Sequence, residues 1–162
     1  MAEPLSMESD RHWLLAAIEL SRRCPPSGTA FSVGALLVSP DGSVLGQGFS
    51  RERDPADHAE EVALARSAEA GVTAGTLAEA RLYSSLEPCA ARASRPVPCA
   101  DLIIACGIRR VIIAWREPPI FVAGGGAVRL RKAGVAVAVV PELAAAARAV
   151  NAHLLSGLAR PA

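Results

Sequence analysis

Residues 81 to 115 read RLYSSLEPCAARASRPVPCADLIIACGIRRVIIAW, and the order of their patterns decides the fold. Arg81 to Leu86 has the length and composition of a short strand. Cys99 to Cys106 follows a helical apolar pattern that Gly107 stops, and Val111 to Trp115 is an unbroken apolar run suited to a central strand. Strand, helix and strand in that order imply a crossover that sets the two strands parallel. Pro88 stands where a missing amide hydrogen is tolerated and predicts a helix start. Arg92 to Pro98, with two prolines and two arginines, predicts an excursion from regular structure.

Upstream, Trp13, Leu14, Ala17, Ile18 and Leu20 recur at helical spacing and predict a helix from His12 to Arg23, with Ser9 and Asp10 as capping side chains. Cys24 to Gly28, with two prolines, ends it. Phe31 to Val38 and Val44 to Phe49 flank Pro40-Asp41-Gly42, the pattern of a hairpin. Arg51 to Asp57 reads as a loop into a helix from His58 to Ala70, stopped by Gly71. Downstream, a loop from Arg116 to Gly126 precedes a helix from Val128 to Ala133, a strand from Val135 to Val140 and a helix from Glu142 to Leu155. An opening hairpin followed by alternating helices and strands predicts the α/β class, a three-layer α/β/α arrangement around a mixed five-stranded sheet. All 162 residues are expected to form one domain, with residues 1–8 a flexible N-terminus.

Seventeen basic and sixteen acidic residues leave a formal charge of +1, which supplies no general attraction to a polyanion. Aromatic residues make up 4%, too few to stack a strand of bases, so nucleic acid is not the expected partner and a small molecule is. No stretch approaches the roughly 18 apolar residues of a membrane span, and Met1 to Asp10 lacks the basic-then-apolar order of a secretory signal. These features predict a cytoplasmic protein without a membrane partner. Its four cysteines, Cys24, Cys89, Cys99 and Cys106, then suggest metal binding or burial before disulfides.

Asp57-His58-Ala59-Glu60, Glu87-Pro88-Cys89 and Cys99 supply one imidazole and two thiols, each at or near a predicted helix start, where the dipole favours thiolate. Three nitrogen and sulfur ligands leave one position of tetrahedral Zn2+ open, the mark of a catalytic site. Zinc acidifies water toward a pKa of about 7, and deamination further needs a carboxyl group that is near the metal without binding it. Glu60 lies two residues after His58, about 200° around the helix, and meets that need. His-x-Glu with Pro-Cys is the signature of zinc deaminases, although there two residues separate the cysteines and here Ala90 to Pro98 intervene. A lone histidine at a helix start is commonly a cap, and a buried cysteine is commonly packing. The ordered set of all three carries the deaminase reading. Cys106, among apolar neighbours, reads as packing, and Cys24 has no partner motif.

The chain resembles the cytidine deaminase-like superfamily, and its second half is similar to the pyrimidine deaminase domain of the bifunctional riboflavin-biosynthesis proteins. The resemblance rests on Tyr83 to Cys89 (YSSLEPC), Pro98 to Trp115, Val122 to Val135 (VAGGGAVRLRKAGV) and His58-Ala59-Glu60-Glu61. That domain has a Pro-rich excursion of nearly this length between its zinc cysteines. The resemblance implies His58, Cys89 and Cys99 as zinc ligands and Glu60 as proton shuttle. It also implies that the Ser85 carbonyl accepts from the substrate amine. A homodimer or larger homo-oligomer is implied as well.

Three features depart from the riboflavin proteins. Ala30-Phe31-Ser32-Val33-Gly34-Ala35 is closer to the Phe-x-Val-Gly-Ala of cytidine deaminases, which puts Phe31 and Ala35 among the expected substrate contacts and leaves no hydrogen-bonding side chain at Ala30. Ala91 stands where a histidine is expected. No reductase domain is expected to follow residue 162. Arg92 and Arg95 are candidates for a substrate phosphate or carboxylate, since guanidinium forks bind both bidentately, or else are solvated loop residues. Gly124-Gly125-Gly126 reads as a turn or an anion cradle. The predicted reaction is hydrolytic deamination of an aminopyrimidine or related heterocycle, with the riboflavin-pathway diaminopyrimidine ribonucleotide foremost. Cytosine-type or guanine-type bases, nucleosides or a specialised metabolite are the alternatives. A zinc-stabilised binding scaffold is the non-enzymatic one, and an RNA-editing deaminase is disfavoured by charge.

Overall fold

A computed structural model describes residues 6–118 and 125–156. Helix α1 runs from Met7 to Ser21, and Ser6 caps it by accepting from the Ser9 amide at 3.2 Å. The helix thus starts before His12, and residues 6–8, expected to be flexible, belong to the cap and first turn. Strands β1 (Gly34–Val38) and β2 (Val44–Phe49) pair antiparallel with a bulge between Leu37 and Val38. Helix α2 (Ala59–Glu69) follows, then α3 (Ala74–Glu79), which has no buried residue and so leaves no apolar period in the sequence. Strand β3 (Arg81–Ser84), helix α4 (Cys99–Ala105) and strand β4 (Arg110–Ile113) form the expected crossover, with β3 and β4 parallel. Helix α5 (Gly126–Lys132) and strand β5 (Ala136–Val139) repeat it. The long C-terminal helix anticipated from Glu142 is instead a 3-10 turn (Pro141–Leu143), α6 (Ala144–Val150) and α7 (Ala152–Leu155).

The sheet has the order β2-β1-β3-β4-β5, antiparallel at β2-β1-β3 and parallel beyond. Helices α1 and α6 cover one face, and α2, α4 and α5 cover the other, which gives the three layers. Every residue of β1 and β3 is buried, as a strand sandwiched between helices requires. On the α1 face, Tyr83 donates its hydroxyl to Asp10 at 2.6 Å and Arg81 pairs with the same carboxylate at 2.7 Å, so these buried polar groups are satisfied. On the α2 face, a side chain at Gly46 would run into the Ala63 carbonyl, and one at Gly48 would come within 2.6 Å of Val62. The two glycines let α2 lie directly on the strand. No helix among the described residues is long and apolar enough to cross a membrane.

Strand β1 begins at Gly34, three residues after the predicted start. Side chains hold the backbone ahead of it: the Ser32 amide donates to Asn151 at 2.7 Å and the Val33 amide to Ser50 Oγ at 3.0 Å. Nor does a helix begin at Pro88. The Glu87 amide bonds to the Trp115 carbonyl at 2.8 Å, and the Cys89 carbonyl accepts from the Ala100 amide at 3.0 Å, so this segment spends its backbone groups on neighbouring elements.

Candidate metal centre and active site

The layer containing α2 and α4 brings the three proposed ligands together. His58 is the N-cap of α2, with its backbone amide bonded to Glu61 Oε1 at 3.1 Å. Cys99 opens α4, and its amide donates to Cys89 Sγ at 3.2 Å. Both sulfurs lie 3.5 Å from His58 Nδ1, and the three donor atoms are all within 4.8 Å of one another. Bond lengths of about 2.0–2.1 Å to nitrogen and 2.3 Å to sulfur in a tetrahedron require an N to S edge of about 3.5 Å, so this donor set fits zinc in size and in chemistry. The two thiols compete for one proton. Cys89 is pulled down to about 4, first by the hydrogen bond from Cys99, then by His58 and the Cys99 amide, while the bond to Cys89 and burial push Cys99 up.

Glu60, one residue into α2, is 3% exposed and accepts from Ser84 Oγ at 2.8 Å. Burial pushes its carboxyl up, against the opposing pull of His58 and Ser84. Ser84 Oγ also lies 2.7 Å from the Leu86 carbonyl. Its single proton serves either acceptor, so Ser84 accommodates both the ionised and the protonated form of Glu60. Leu82 and Ser84 alternate onto the α2 face of β3, and that period of two is the signal by which Ser84 could have been identified.

His58, Glu60 and Cys89 open into a cavity of about 470 Å³, a size suited to a small heterocycle. Phe31 stands in its wall, edge-on to Trp115 with ring centroids 5.4 Å apart. Ala35 and Ser85 do not belong to the wall: Ala35 is wholly buried in β1, and Ser85 is 2% exposed with its Oγ accepting from the Gly34 amide. Arg92 lines the cavity, yet its guanidinium donates to the Ala56 carbonyl at 2.6 Å and pairs with Glu61 at 3.3 Å. Arg95 lies outside the wall and pairs with Glu61 and Asp57, each at 3.1 Å, and with Asp54 at 3.4 Å. Glu61 thereby ties the excursion between the cysteines to the N-cap of His58.

Glu87 was not anticipated. Its buried carboxylate accepts from the Glu117 amide at 2.9 Å and from the Ala127 amide at 2.7 Å, clamping the start of α5 to the segment that carries Cys89. Gly124 lies outside the described residues. Gly125 adopts φ +122°, and a methyl group on Gly126 would overlap the Pro88 carbonyl. The two described glycines therefore serve a turn and a close approach, and the chain's own Glu87 takes the Ala127 amide that an anion cradle would need. Cys106 packs against the core, and Cys24 reaches the Val33 carbonyl at 3.5 Å.

Residues 7–115 match the family described as the cytidine and deoxycytidylate deaminase zinc-binding region. Over 125 residues the chain is 38% identical to the diaminohydroxyphosphoribosylamino-pyrimidine deaminase of Schizosaccharomyces pombe, covering 77% of this chain and 30% of that protein. It is 35% identical over 134 residues to the riboflavin biosynthesis protein RibD of Aquifex aeolicus, covering 80% and 34%. The fold superposes on RibD of Acinetobacter baumannii with a TM-score of 0.76 at 29% identity, over 93% of this chain and 40% of that one. The chain spans about a third of the length of these curated relatives.

Proposed function

Because the chain belongs to the cytidine and deoxycytidylate deaminase zinc-binding family, we propose that it hydrolytically deaminates an aminopyrimidine and releases ammonia, with the riboflavin-pathway diaminopyrimidine ribonucleotide as the leading substrate. One observation carries this reading: a buried carboxylate, Glu60, stands with His58 and Cys89 in one cavity and is held by a hydroxyl that suits both of its protonation states. A structural metal site has no use for such a group, which disfavours a binding scaffold.

His58, Cys89 and Cys99 would hold zinc, which when bound acidifies water and polarises the group it meets. The chain's own residues do the rest. Glu60 takes the proton of the attacking water and delivers protons to the ring nitrogen and the departing amine. Phe31 gives the heterocycle an apolar surface, with Trp115 supporting it from behind. Sequence similarity to the Schizosaccharomyces pombe and Aquifex aeolicus proteins supports the riboflavin-type substrate over cytosine-type or guanine-type compounds. The working unit in this reading is a cytoplasmic homodimer or larger homo-oligomer. Apolar side chains exposed at Val97, between the two cysteines, and at Val128, on α5, are consistent with it.

Ammonia release from aminopyrimidines, purines and pterins, each with and without a phosphate, is the decisive assay. The diaminopyrimidine ribonucleotide is expected to be turned over fastest. Zinc-loaded protein that releases ammonia from none of them would overturn the proposal.

A further inference from the structure

Ala30, Phe31 and Val33 line the cavity, yet the backbone between them is gripped from 119 positions downstream. Asn151, 2% exposed at the junction of α6 and α7, accepts from the Ser32 amide at 2.7 Å. Its Nδ2 donates to the Ser32 carbonyl at 3.1 Å and to the Ala147 carbonyl at 3.3 Å. The side chain thus gives Ser32 the donor and acceptor that a neighbouring strand would otherwise supply. His153, two residues on, meets the Ser27 carbonyl at 2.9 Å, so the same helical segment holds the loop at both ends. On the other side, Arg51 donates to the Phe31 carbonyl at 3.1 Å and to Ser32 Oγ at 3.0 Å, from a backbone with φ 59°.

A buried amide whose polar atoms are largely committed to one loop residue gives placement more than net stability, because desolvation offsets much of each hydrogen bond. None of these contacts reaches His58, Cys89, Cys99 or Glu60. We propose that Asn151 is a positioning residue for the substrate wall, so that the C-terminal helical segment acts as a latch that sets which heterocycles the cavity accepts. The inference rests on the deaminase reading for its substrate.

The test compares full-length wild type with Asn151→Ala and Asn151→Asp, the second retaining the acceptor while placing a carboxylate against the Ser32 carbonyl. In Asn151→Ala, Ser32 amide exchange is expected to rise about tenfold relative to amides of β1 and β3, the size expected for one lost buried hydrogen bond. KM is expected to rise by a similar factor, with kcat and zinc content unchanged and the order of preferred substrates altered. If Asn151→Ala does not fold, Asn151→Asp, which keeps the acceptor for the Ser32 amide and loses the donor to its carbonyl, is read by KM and substrate order. Exchange that rises equally throughout the sheet, or an unchanged KM and substrate order, overturns the latch. A wild type that releases no ammonia overturns the deaminase reading instead. The latch is then decided by Ser32 exchange and by aminopyrimidine quenching of Trp115 in a Trp13→Phe background, which Asn151→Ala must weaken.

Discussion

Replacing Gly126 with alanine is expected to damage the metal centre from a residue that never touches it. The added methyl group would overlap the Pro88 carbonyl oxygen and lie 2.8 Å from the Pro88 carbonyl carbon, and both are backbone atoms that cannot swing aside. Helix α5 cannot retreat freely either, because Ala127 and Leu130 are completely buried and the Ala127 amide is bonded to Glu87. Overpacking of this kind costs about 1–3 kcal/mol. Loss of a hydrogen bond to the buried Glu87 carboxylate adds about 1.5–3 kcal/mol, for a total of roughly 2.5–6 kcal/mol. Whatever part of the strain the Pro88 segment absorbs moves Cys89, the next residue, away from His58 and Cys99. Displacement of groups supporting a metal site lowers affinity by about 10–100-fold, and that loss is expected here. Chemical denaturation gives the first quantity and chelator competition the second. A Gly126→Ala protein with wild-type stability and wild-type zinc affinity would refute the packing argument, since the overlap leaves no third outlet.

Other changes probe the chemistry more directly. Glu60→Gln is expected to retain zinc and lower ammonia release at least about 100-fold, the lower range for general acid–base catalysis; zinc-loaded protein with wild-type turnover would exclude the proton-shuttle role. Ser84→Ala leaves the buried Glu60 carboxyl without its side-chain partner and is expected to reduce turnover about tenfold, with zinc content unchanged. Glu117 lines the cavity with its carboxyl pushed up to about 8, first by burial and then by the negative charges at Cys89, Glu60 and Glu87. Such a raised value favours the folded state fully below the ordinary value of 4.5 and loses that contribution as pH rises through about 8. Melting temperatures of Glu117→Gln are therefore expected to fall less than those of wild type between pH 4.5 and 8; parallel curves would show that Glu117 does not titrate in this way.

The crossover between β3 and β4 was legible because Val111 to Trp115 is an unbroken apolar run, Arg81 to Leu86 has the length of a short strand, and Gly107 stops the helix between them. The cluster of His58, Cys89 and Cys99 was legible for a chemical reason: few arrangements use an imidazole, a neighbouring carboxylate and two thiols in that order. What escaped the sequence was held by side chains acting on distant backbone. Phe31 and Ser32 look like strand residues, but Asn151, Ser50 and Arg51 take the bonds that would have extended β1. Helix α3 escaped because its residues remain accessible to solvent and Thr73 capping alone leaves no apolar rhythm. Cys89 was expected at a helix start because Pro88 permits one, whereas the pairing of Glu87 with Trp115 and of Cys89 with Ala100 commits the segment's backbone to neighbouring elements. Arg92 and Arg95 could be identified as important but not assigned, since their partners Glu61, Asp57 and Asp54 lie more than 30 positions away.

Helix α2, with His58 at its N-cap, and the loop from Ser27 to Val33 rest on different supports: α2 lies on Gly46 and Gly48, while the loop is bonded to Asn151 and His153. In the proposed reading, descendants of this chain can trade one substrate for another by substitutions at Asn151 or His153 while His58, Cys89, Cys99 and Glu60 stay in place. Selection can act on preference and on reactivity as independent traits.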